Sequence, residues 1–215
     1  MRFDRQLPVF GEEGQQRIMS SVVGIVGCGA LGVNLITQLT MAGVSHFILC
    51  DGGSPQLNNL NSQFIYSAND YRSKAVISAE WILALNPSAE VQANSEPLTA
   101  ENGDLFLGCD ILVDCLDNKE SKILLSELAG RMGIPLVHGD IKGTKGEIAI
   151  SVPGKTISTS SISDDEDDAP SIGAAASVVS SMQALEVLRI ISGIGTPNEG
   201  RIIRVDMDGW STESE

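Results

Sequence analysis

The sequence predicts an α/β fold, in which helices cover both faces of a doubly wound, mainly parallel sheet with a mixed-sheet extension at its C-terminal end. First, a buried strand, a glycine-rich turn, a helix and a second strand follow one another from Val22 to Asp51. Second, short β-branched runs continue to alternate with helical runs as far as residue 137, which is typical of a parallel sheet. Third, strand patterns return near residues 144–152 and 200–210, on either side of a long helix. No linker interrupts the chain, so we expect one domain over residues 1–215.

The glycine-rich turn carries a nucleotide-binding fingerprint. Gly27, Gly29 and Gly32 stand at G-x-G-x-x-G spacing directly after the first strand. In a Rossmann-like fold the first glycine permits a tight turn, the second lets the backbone approach a phosphate, and the third packs helix against strand. The N–H groups at the helix start would face the phosphates, and the aspartate that closes the second strand would bind ribose hydroxyls. The residues predicted to contact the nucleotide are Gly27, Gly29, Ala30, Leu31, Gly32 and Asp51.

Two segments after the second strand offer further polar groups to a nucleotide. The stretch L-N-N-L-N-S-Q-F at residues 57–64 favours a hydrogen-bonded loop. It is either an irregular surface loop or a loop folded over the nucleotide, with Asn59 or Asn61 supplying amides. Lys74 lies in the first turn of the helical run Ala75–Pro87. Because the helix dipole disfavours a cation there, this lysine is either simply exposed or binds an anion.

Acidic residues end the later apolar strand I-L-V. In an open α/β sheet ligands bind outside the carboxyl ends of the strands, so Asp51, Asp114 and Asp117 are expected to converge on one crevice. Mg²⁺ accepts one or two carboxylates together with substrate phosphates, which makes the crevice a candidate magnesium site. Asp117 and Asn118 also stand where they would cap the helix at residues 119–132, and the two roles are compatible.

Composition excludes several classes of protein. The formal net charge is −14 and no lysine- or arginine-rich cluster is present, which argues against binding nucleic acid or an anionic membrane. With only two histidines, no Ser/His/Asp or Cys/His arrangement can be supported, which disfavours covalent hydrolase chemistry. The stretch 153–171 is rich in serine and contains five consecutive acids, so we expect a mobile crossover loop there rather than a metal site.

Targeting signals and cysteine usage indicate a cytoplasmic protein. The charged N-terminus is followed by no apolar signal-peptide core, and no apolar run approaches the length of a membrane span. No two cysteines form a C-x-x-C pair, which argues against a structural zinc. Buried, reduced thiols are expected instead. The cysteines are Cys28, Cys50, Cys109 and Cys115.

Residues 1–20 precede the first strand and are expected to form an N-terminal helical arm, with a helix near Glu12–Ser20. Such an arm usually covers the edge of a sheet. In so acidic a chain the first two arginines of the arm, Arg2 and Arg5, are alternatively placed to reach phosphates, in this subunit or in a neighbouring one.

A series of motifs then points to one family. In chain order they are R-F-D-R-Q, G-C-G-A-L-G, the aspartate after the second strand, N-N-L-N-x-Q, the following lysine, D-C-L-D-N, P-L-V-H-G, G-E-I-A-I and S-S-M-Q-A-L-E-V-L-R. The set resembles the ThiF/MoeB/HesA family, relatives of the ubiquitin-activating enzymes, over about residues 2–208. The set as a whole is specific, whereas no single motif is.

The resemblance implies an enzyme, an ATP-dependent adenylyltransferase. Its substrate would be the C-terminal glycine carboxylate of a small ubiquitin-like sulfur carrier protein that ends in Gly-Gly. An acyl-adenylate would form and pyrophosphate would leave. Such chemistry needs positioning and charge neutralisation rather than a protein nucleophile.

The resemblance also assigns residue roles by matching position. The glycines would pass under the phosphates, Asp51 would hold the ribose, and Asn59 and Lys74 would contact phosphates. Asp117 would bind Mg²⁺, and Arg5 would reach the ATP of the partner subunit, which implies a homodimer. The nucleotide contacts implied beyond the glycine turn are Asp51, Asn59, Asn61, Lys74 and Asn118, and the implied catalytic residues are Arg5, Lys74 and Asp117.

The sequence departs from the family pattern at two places. Ser62 occupies the position of the arginine in the family's N-L-N-R-Q, and serine does not replace a planar, bidentate cation. Arg72, two residues before Lys74, is a candidate to compensate. In addition, the loop 153–171 has no cysteine, which excludes a thioester or persulfide step on that loop.

Three alternatives to the adenylyltransferase stay open. The first is an inactive relative that binds or scaffolds a carrier protein, marked by Ser62. The second is a nicotinamide-dependent oxidoreductase, for which Lys74 and the D-C-L-D-N motif have no evident use. The third is adenylation of a non-protein carboxylate, such as one on a modified tRNA, which the acidity of the chain disfavours.

Overall fold

The protein is described by a computed structural model over residues 2–155, 157 and 172–214. Its strands are β1 (Val22–Val26), β2 (His46–Cys50), β3 (Glu90–Asn94), β4 (Ile111–Asp114), β5 (Leu136–Lys142), β6 (Lys145–Ser151), β7 (Ile202–Asp206) and β8 (Ser211–Ser214). Its helices are α1 (Leu7–Ser20), α2 (Ala30–Ala42), α3 (Lys74–Leu85), α4 (Lys119–Met132) and α5 (Gly173–Ser192). Most of the predicted crossover loop, residues 156 and 158–171, lies outside the described residues.

The strands form one sheet in the order β3-β2-β1-β4-β5-β6-β7-β8. The first five pair in parallel, and β6, β7 and β8 continue the sheet in antiparallel register. This arrangement confirms the predicted α/β fold with a mainly parallel sheet and a mixed extension. The carboxyl ends of β1, β2, β4 and β5 therefore lie at one edge of the sheet, where such folds bind their ligands.

Helices cover both faces of the parallel strands. On one face α1, α2, α3 and α5 pack around side chains such as Leu39 and Val187. On the other face α4 and the segment around Phe106 pack against the sheet. Because both faces are covered, β4 is buried along its whole length and β1 and β2 are buried except at their first residues. The four cysteines are free and buried, as predicted.

Two elements differ from the sequence prediction. Helix α1 begins at Leu7 rather than near Glu12, and Gly11, with φ of 67°, joins two helical segments across a kink. Strand β8 was not predicted, because its sequence S-T-E-S contains no apolar residue and all four residues are exposed. Its conformation comes from pairing with β7, in which Ile203 opposes Ser214.

Helix α5 was not expected to resemble a membrane span. Among the described helices it alone is long and apolar enough to cross a membrane. Half of its apolar window is buried inside the protein, however, and the helix packs against α2 and against β5 and β6. Burial against the sheet explains its apolar sequence, as in the central helix of a globular α/β domain.

Candidate nucleotide and substrate site

The glycine turn has the geometry that its motif predicts. Gly27 has φ of 94° and passes so close to Cys115 that an added Cβ would clash with the Cys115 carbonyl. A Cβ on Gly32 would clash with the carbonyl oxygen of Gly27, so these two glycines permit close packing of strand, turn and helix. Gly29 precedes α2, and the nearest atom to an added Cβ is Gln63 Nε2 at 3.9 Å. The backbone at Gly29 is therefore open to a ligand.

Asp51 closes β2 and holds the turns on either side of it. Its Oδ2 accepts a hydrogen bond from the Cys28 N–H at 2.6 Å, and its Oδ1 accepts one from the Gly53 N–H at 2.7 Å. The Tyr66 hydroxyl, which sequence reasoning missed, also braces the turn by donating to the Cys28 carbonyl at 2.6 Å. These three hydrogen bonds hold the Asp51 carboxylate and the glycine turn in place.

One cavity of about 1200 Å³ opens over this edge of the sheet. It extends from the glycine turn across the ends of β4 and β5 to the antiparallel extension. Gly32 lies beneath the turn and does not line the cavity, and Arg5 is exposed on the N-terminal arm outside it. The sequence-predicted residues that line it are Gly27, Gly29, Ala30, Leu31, Asp51, Asn59, Asn61, Lys74, Asp117 and Asn118.

The asparagine-rich loop lies over the part of the cavity next to the glycine turn. Residues Leu57–Asn59 form a 3₁₀ turn, in which Asn59 Oδ1 accepts from the Gln56 N–H at 3.2 Å. Asn61 Oδ1 accepts from the Ser62 hydroxyl at 3.1 Å. Ser62 is 8% exposed and lines the cavity without any positive charge. Of the two interpretations of this loop, the structure favours the loop folded over the site.

Lys74 begins α3 and lines the cavity. The Ser73 side chain caps the helix by accepting from the Ala75 N–H at 3.2 Å, and the Lys74 N–H donates to the Gly53 carbonyl at 2.9 Å. Within the described ranges, no carboxylate forms an ion pair with the Lys74 ammonium. A partly buried cation beside a helix N-terminus, with no acidic partner in the described chain, is suited to bind an anion.

Arg72 does not compensate for Ser62. Its guanidinium bonds to Asp70, with Nη2–Oδ2 at 2.7 Å, and to Glu80. It is exposed and is not among the residues that line the cavity. The reason is local, because the Arg72 N–H also donates to Asp70 Oδ1 at 3.1 Å and closes a tight turn.

Asp114 and Asp117 do not act as a pair, which corrects the expectation that both face the crevice. Asp117 lines the cavity, whereas Asp114 is completely buried. Asp114 Oδ2 lies 3.3 Å from Lys122 Nζ and 2.9 Å from His138 Nδ1. Burial opposes ionisation of Asp114, but the Lys122 cation and the His138 hydrogen bond outweigh it and hold the pKa of this carboxyl below its ordinary value. Asn118 caps α4, as predicted, by accepting from the Ser121 N–H at 2.9 Å.

The extension contributes a charged wall that sequence reasoning missed. Asp140, Glu147, Arg204 and Glu213 oppose one another across β5, β6, β7 and β8, and all four line the cavity. Burial raises the pKa of Asp140, and the Asp114 and Asp117 charges add to the rise while Lys122 opposes it. Burial likewise raises the pKa of Glu147, although Arg204 Nε lies 2.6 Å from its Oε2. Only the register of the strands brings these residues together.

The residues present fit a magnesium ion held jointly with phosphates. The described residues contain no cluster of three or more His, Cys, Asp or Glu side chains that would hold a metal alone. Mg²⁺ in nucleotide sites needs only one or two carboxylates, because water and phosphate oxygens complete its shell. Asp117 supplies one such carboxylate in the cavity.

Relatives of this chain are known by sequence and by structure. A sulfur carrier protein adenylyltransferase of Thermus thermophilus is 30% identical over 230 residues, covering 95% of this chain and 82% of that protein. Protein HesA of Nostoc sp. is 29% identical, covering 94% and 83%, and the sulfur carrier protein ThiS adenylyltransferase of Escherichia coli is 28% identical, covering 92% and 83%.

Solved structures share the fold. PaaA superposes with a TM-score of 0.86 at 20% identity over 100% of this chain and 72% of that chain. E. coli MccB with ATP superposes with a TM-score of 0.83 at 20% identity over 100% of this chain and 70% of that chain. Residues 3–213 match the ThiF family. Because that match spans nearly the whole sequence, the chain belongs to the ThiF family.

Proposed function

We propose that this protein is an ATP-dependent adenylyltransferase that activates the C-terminal glycine carboxylate of a small ubiquitin-like sulfur carrier protein. The observation that carries the proposal is a cavity that has a nucleotide-type glycine turn at one end and a charged β-sheet wall at the other. The names of the relatives, adenylyltransferases of sulfur carriers in T. thermophilus and E. coli, support the same activity. The ATP-bound state of the structurally similar MccB supports ATP as the nucleotide.

In the proposed reaction the carrier carboxylate attacks the α-phosphorus of ATP. A new O–P bond forms, the bond from the α-phosphorus to its bridging oxygen breaks, and pyrophosphate leaves with that electron pair. The N–H groups at the start of α2 and the Lys74 ammonium would neutralise phosphate charge, and Asp51 would bind the ribose. A Mg²⁺ ion held by Asp117 would neutralise further phosphate charge. No protein nucleophile is required, in agreement with a cavity whose lining cysteines, Cys50 and Cys115, are buried.

We also propose that the protein acts as a homodimer of single-domain, cytoplasmic subunits. Arg5 is exposed and lies outside its own chain's cavity, so its implied contact with ATP requires a second subunit. Apolar side chains on α2 and α5 support an interface, since Met41 and Leu185 are 51% and 52% exposed beside a shallow groove. Mixing Arg5→Ala with Asp117→Ala subunits tests this: composite sites regain activity only if Arg5 acts across a dimer.

Exchange of labelled pyrophosphate into ATP, with Mg²⁺ present, tests the activity. The assay is run without any carrier, with small carrier proteins that end in Gly-Gly, and with the same carriers lacking the terminal glycine. We expect exchange only with an intact carrier. Absence of exchange with every carrier, together with normal ATP binding, would overturn the proposal and favour a carrier-binding relative disabled at Ser62.

A further inference from the structure

A buried network fixes the end of β4, just before the turn that carries Asp117. Three side chains meet there, and none touches the cavity: Asp114 and His138 are 0% exposed and Lys122 is 1% exposed. Asp114 Oδ2 lies 3.3 Å from Lys122 Nζ and 2.9 Å from His138 Nδ1, and its Oδ1 accepts from the Leu116 N–H at 2.9 Å. Every oxygen of this carboxylate therefore has a donor or ring-nitrogen partner inside the protein.

The same network ties three elements to one residue. Gln183, fully buried on α5, donates from Nε2 to the Asp114 carbonyl at 2.8 Å. Lys122, on α4, donates from Nζ to the Gly139 carbonyl of β5 at 2.9 Å. Asp114 is thus held through its side chain and through its main chain. The next four residues form the turn 115–118, all of which line the cavity.

Lys122 is the cationic partner of the buried Asp114 carboxylate. A buried carboxylate without a counter-ion is strongly disfavoured, and it gains hydration by moving towards water. The cavity lies next to Asp114, because the following residue, Cys115, lines it. Such a movement would displace the turn and bring a second acid beside Asp117. Lys122 stabilises the Asp114 carboxylate inside the protein with its positive charge, so the carboxylate gains little by moving towards water.

We infer that Lys122 is a positioning residue, which acts through Asp114 and His138 to fix the turn 115–118 so that Asp117 alone of the two aspartates faces the metal–nucleotide complex. This inference rests on the proposed function, because it assigns the turn a role in binding Mg²⁺ with ATP. It requires no contact between Lys122 and any reactant. Outer residues that orient a metal ligand commonly change metal affinity about 10- to 100-fold when they are altered.

The test measures how the binding of a non-hydrolysable ATP analogue depends on Mg²⁺, by calorimetry in the absence of any carrier. We expect Lys122→Gln to raise the Mg²⁺ concentration for half-saturation about tenfold, and Lys122→Arg to stay close to wild type. Adding Asp114→Asn to Lys122→Gln removes the stranded carboxylate and is expected to reverse most of the rise. A merely structural role for Lys122 would not give this reversal.

An ion pair elsewhere, between a buried carboxylate and a partly exposed arginine, provides the matched control. Glu186 is 2% exposed and lies 2.6 Å from Arg189 Nη1, and neither residue lines the cavity. Glu186→Gln is expected to leave the Mg²⁺ dependence unchanged, although it also disturbs a buried charge. If Lys122→Gln does not fold, as judged by circular dichroism, His138→Gln keeps the ion pair and carries the test, with a smaller rise expected.

Two results would overturn the inference. One is a folded Lys122→Gln protein, or a folded His138→Gln protein in its place, with wild-type Mg²⁺ dependence. The other is wild-type nucleotide binding that does not respond to Mg²⁺. Failure of the proposed function is seen separately, as absence of carrier-dependent pyrophosphate exchange in the wild-type protein, and it does not depend on these variants.

Discussion

The parallel and antiparallel halves of the sheet present different kinds of surface to the same cavity. In the parallel half the central strands β1, β2 and β4 are buried on both faces, and the cavity is lined by the turns that follow them, including Gly27 and Gly29. At the extension the strand side chains themselves form the wall, in which Glu147 and Arg204 stand in one row with Asp140, at the end of β5 beyond its parallel pairing with β4. Backbone N–H groups can bind a phosphate whatever the neighbouring side chains are. The charge and shape of a surface made of side chains, by contrast, change with every substitution in it. We therefore expect nucleotide binding to depend on the parallel half and choice of acyl substrate on the extension.

Substitution of the turn glycines should give the largest effects in the parallel half and should separate folding from binding. Gly27→Ala places a Cβ against the Cys115 carbonyl at φ of 94°, so we expect a loss of stability on the order of 3 kcal/mol or more. Gly29→Ala meets only Gln63 at 3.9 Å, so the fold should persist while ATP binding weakens. Thermal unfolding and ATP titration measure the two effects. Equal stability of both variants would contradict the assigned roles.

Asp117→Ala should abolish pyrophosphate exchange, with a loss of about 10²- to 10³-fold or more. The physical reason is that Asp117 is the cavity-facing carboxylate of its turn and the proposed Mg²⁺ ligand. Asp110→Ala serves as the control, because Asp110 accepts from the Val22 N–H at 2.8 Å at the opposite end of the strands. Full activity of Asp117→Ala would show that the site is assigned wrongly.

Lys74→Ala should raise the KM for ATP about 10- to 100-fold, as expected for loss of a hydrogen bond to a charged group. Arg72→Ala is the matched control, since Arg72 is two residues away but bonds to Asp70 and Glu80 outside the cavity. Its KM for ATP should stay at the wild-type value. Steady-state exchange kinetics at saturating carrier distinguish the two outcomes. A larger effect for Arg72→Ala would restore it as the substitute for the family's arginine.

Asp140→Asn should change carrier-dependent exchange by a few-fold, on the scale of a partly exposed charge, and leave the KM for ATP unaltered. Asp140 lies on the extension side of the cavity. The prediction therefore tests directly whether the extension affects the carrier while the parallel half affects ATP. Varying carrier and ATP separately gives both KM values. A change in the KM for ATP alone would contradict the assignment of carrier binding to the extension.

The smallest expected effect is the pH dependence of stability at the same residue. Burial raises the folded-state pKa of Asp140 above its ordinary value of 3.8, so the folded protein binds the proton more tightly than the unfolded chain does. Stability from this group is therefore present below pH 3.8 and is lost as pH rises through the folded pKa. Asp140→Asn should raise Tm at pH 7 by on the order of 1–3 °C and should lose this advantage in acid. Thermal melts across pH 3–7 measure it.

Local signals explain why much of the fold and of the nucleotide half could be predicted. The glycine spacing, the strand-ending Asp51 and the Asn118 cap are each decided by neighbours within a few residues. The family resemblance and the α/β fold are confirmed. The roles of Arg5, Lys74 and Asp117 stay predictions, because they concern ligands and a second subunit.

Long-range pairing explains what could not be predicted. The Asp114 side chain is buried rather than facing the cavity because the strand register places Asp114 beside His138 on β5, and because Lys122, eight residues along the chain, pairs with it. The charged wall exists because Glu147 and Arg204 are brought together by strands 57 residues apart in sequence. Neither contact produces a periodic pattern in the sequence from which it could be predicted. The suggestion that Arg72 compensates for Ser62 was wrong, because proximity to Lys74 in sequence does not indicate on which side of the chain the Arg72 side chain lies.

The breadth of the shared cavity has a consequence for the lifetime of the proposed intermediate. Under the proposed function, a space of about 1200 Å³ would hold ATP and the carrier tail side by side, and the acyl-adenylate would remain where it is made. The same breadth would leave solvent next to the activated carbonyl of that intermediate whenever the carrier tail is displaced. Hydrolysis to AMP then competes with delivery of the acyl group. Under the proposed function the rate of futile ATP consumption would report how completely the bound carrier excludes water.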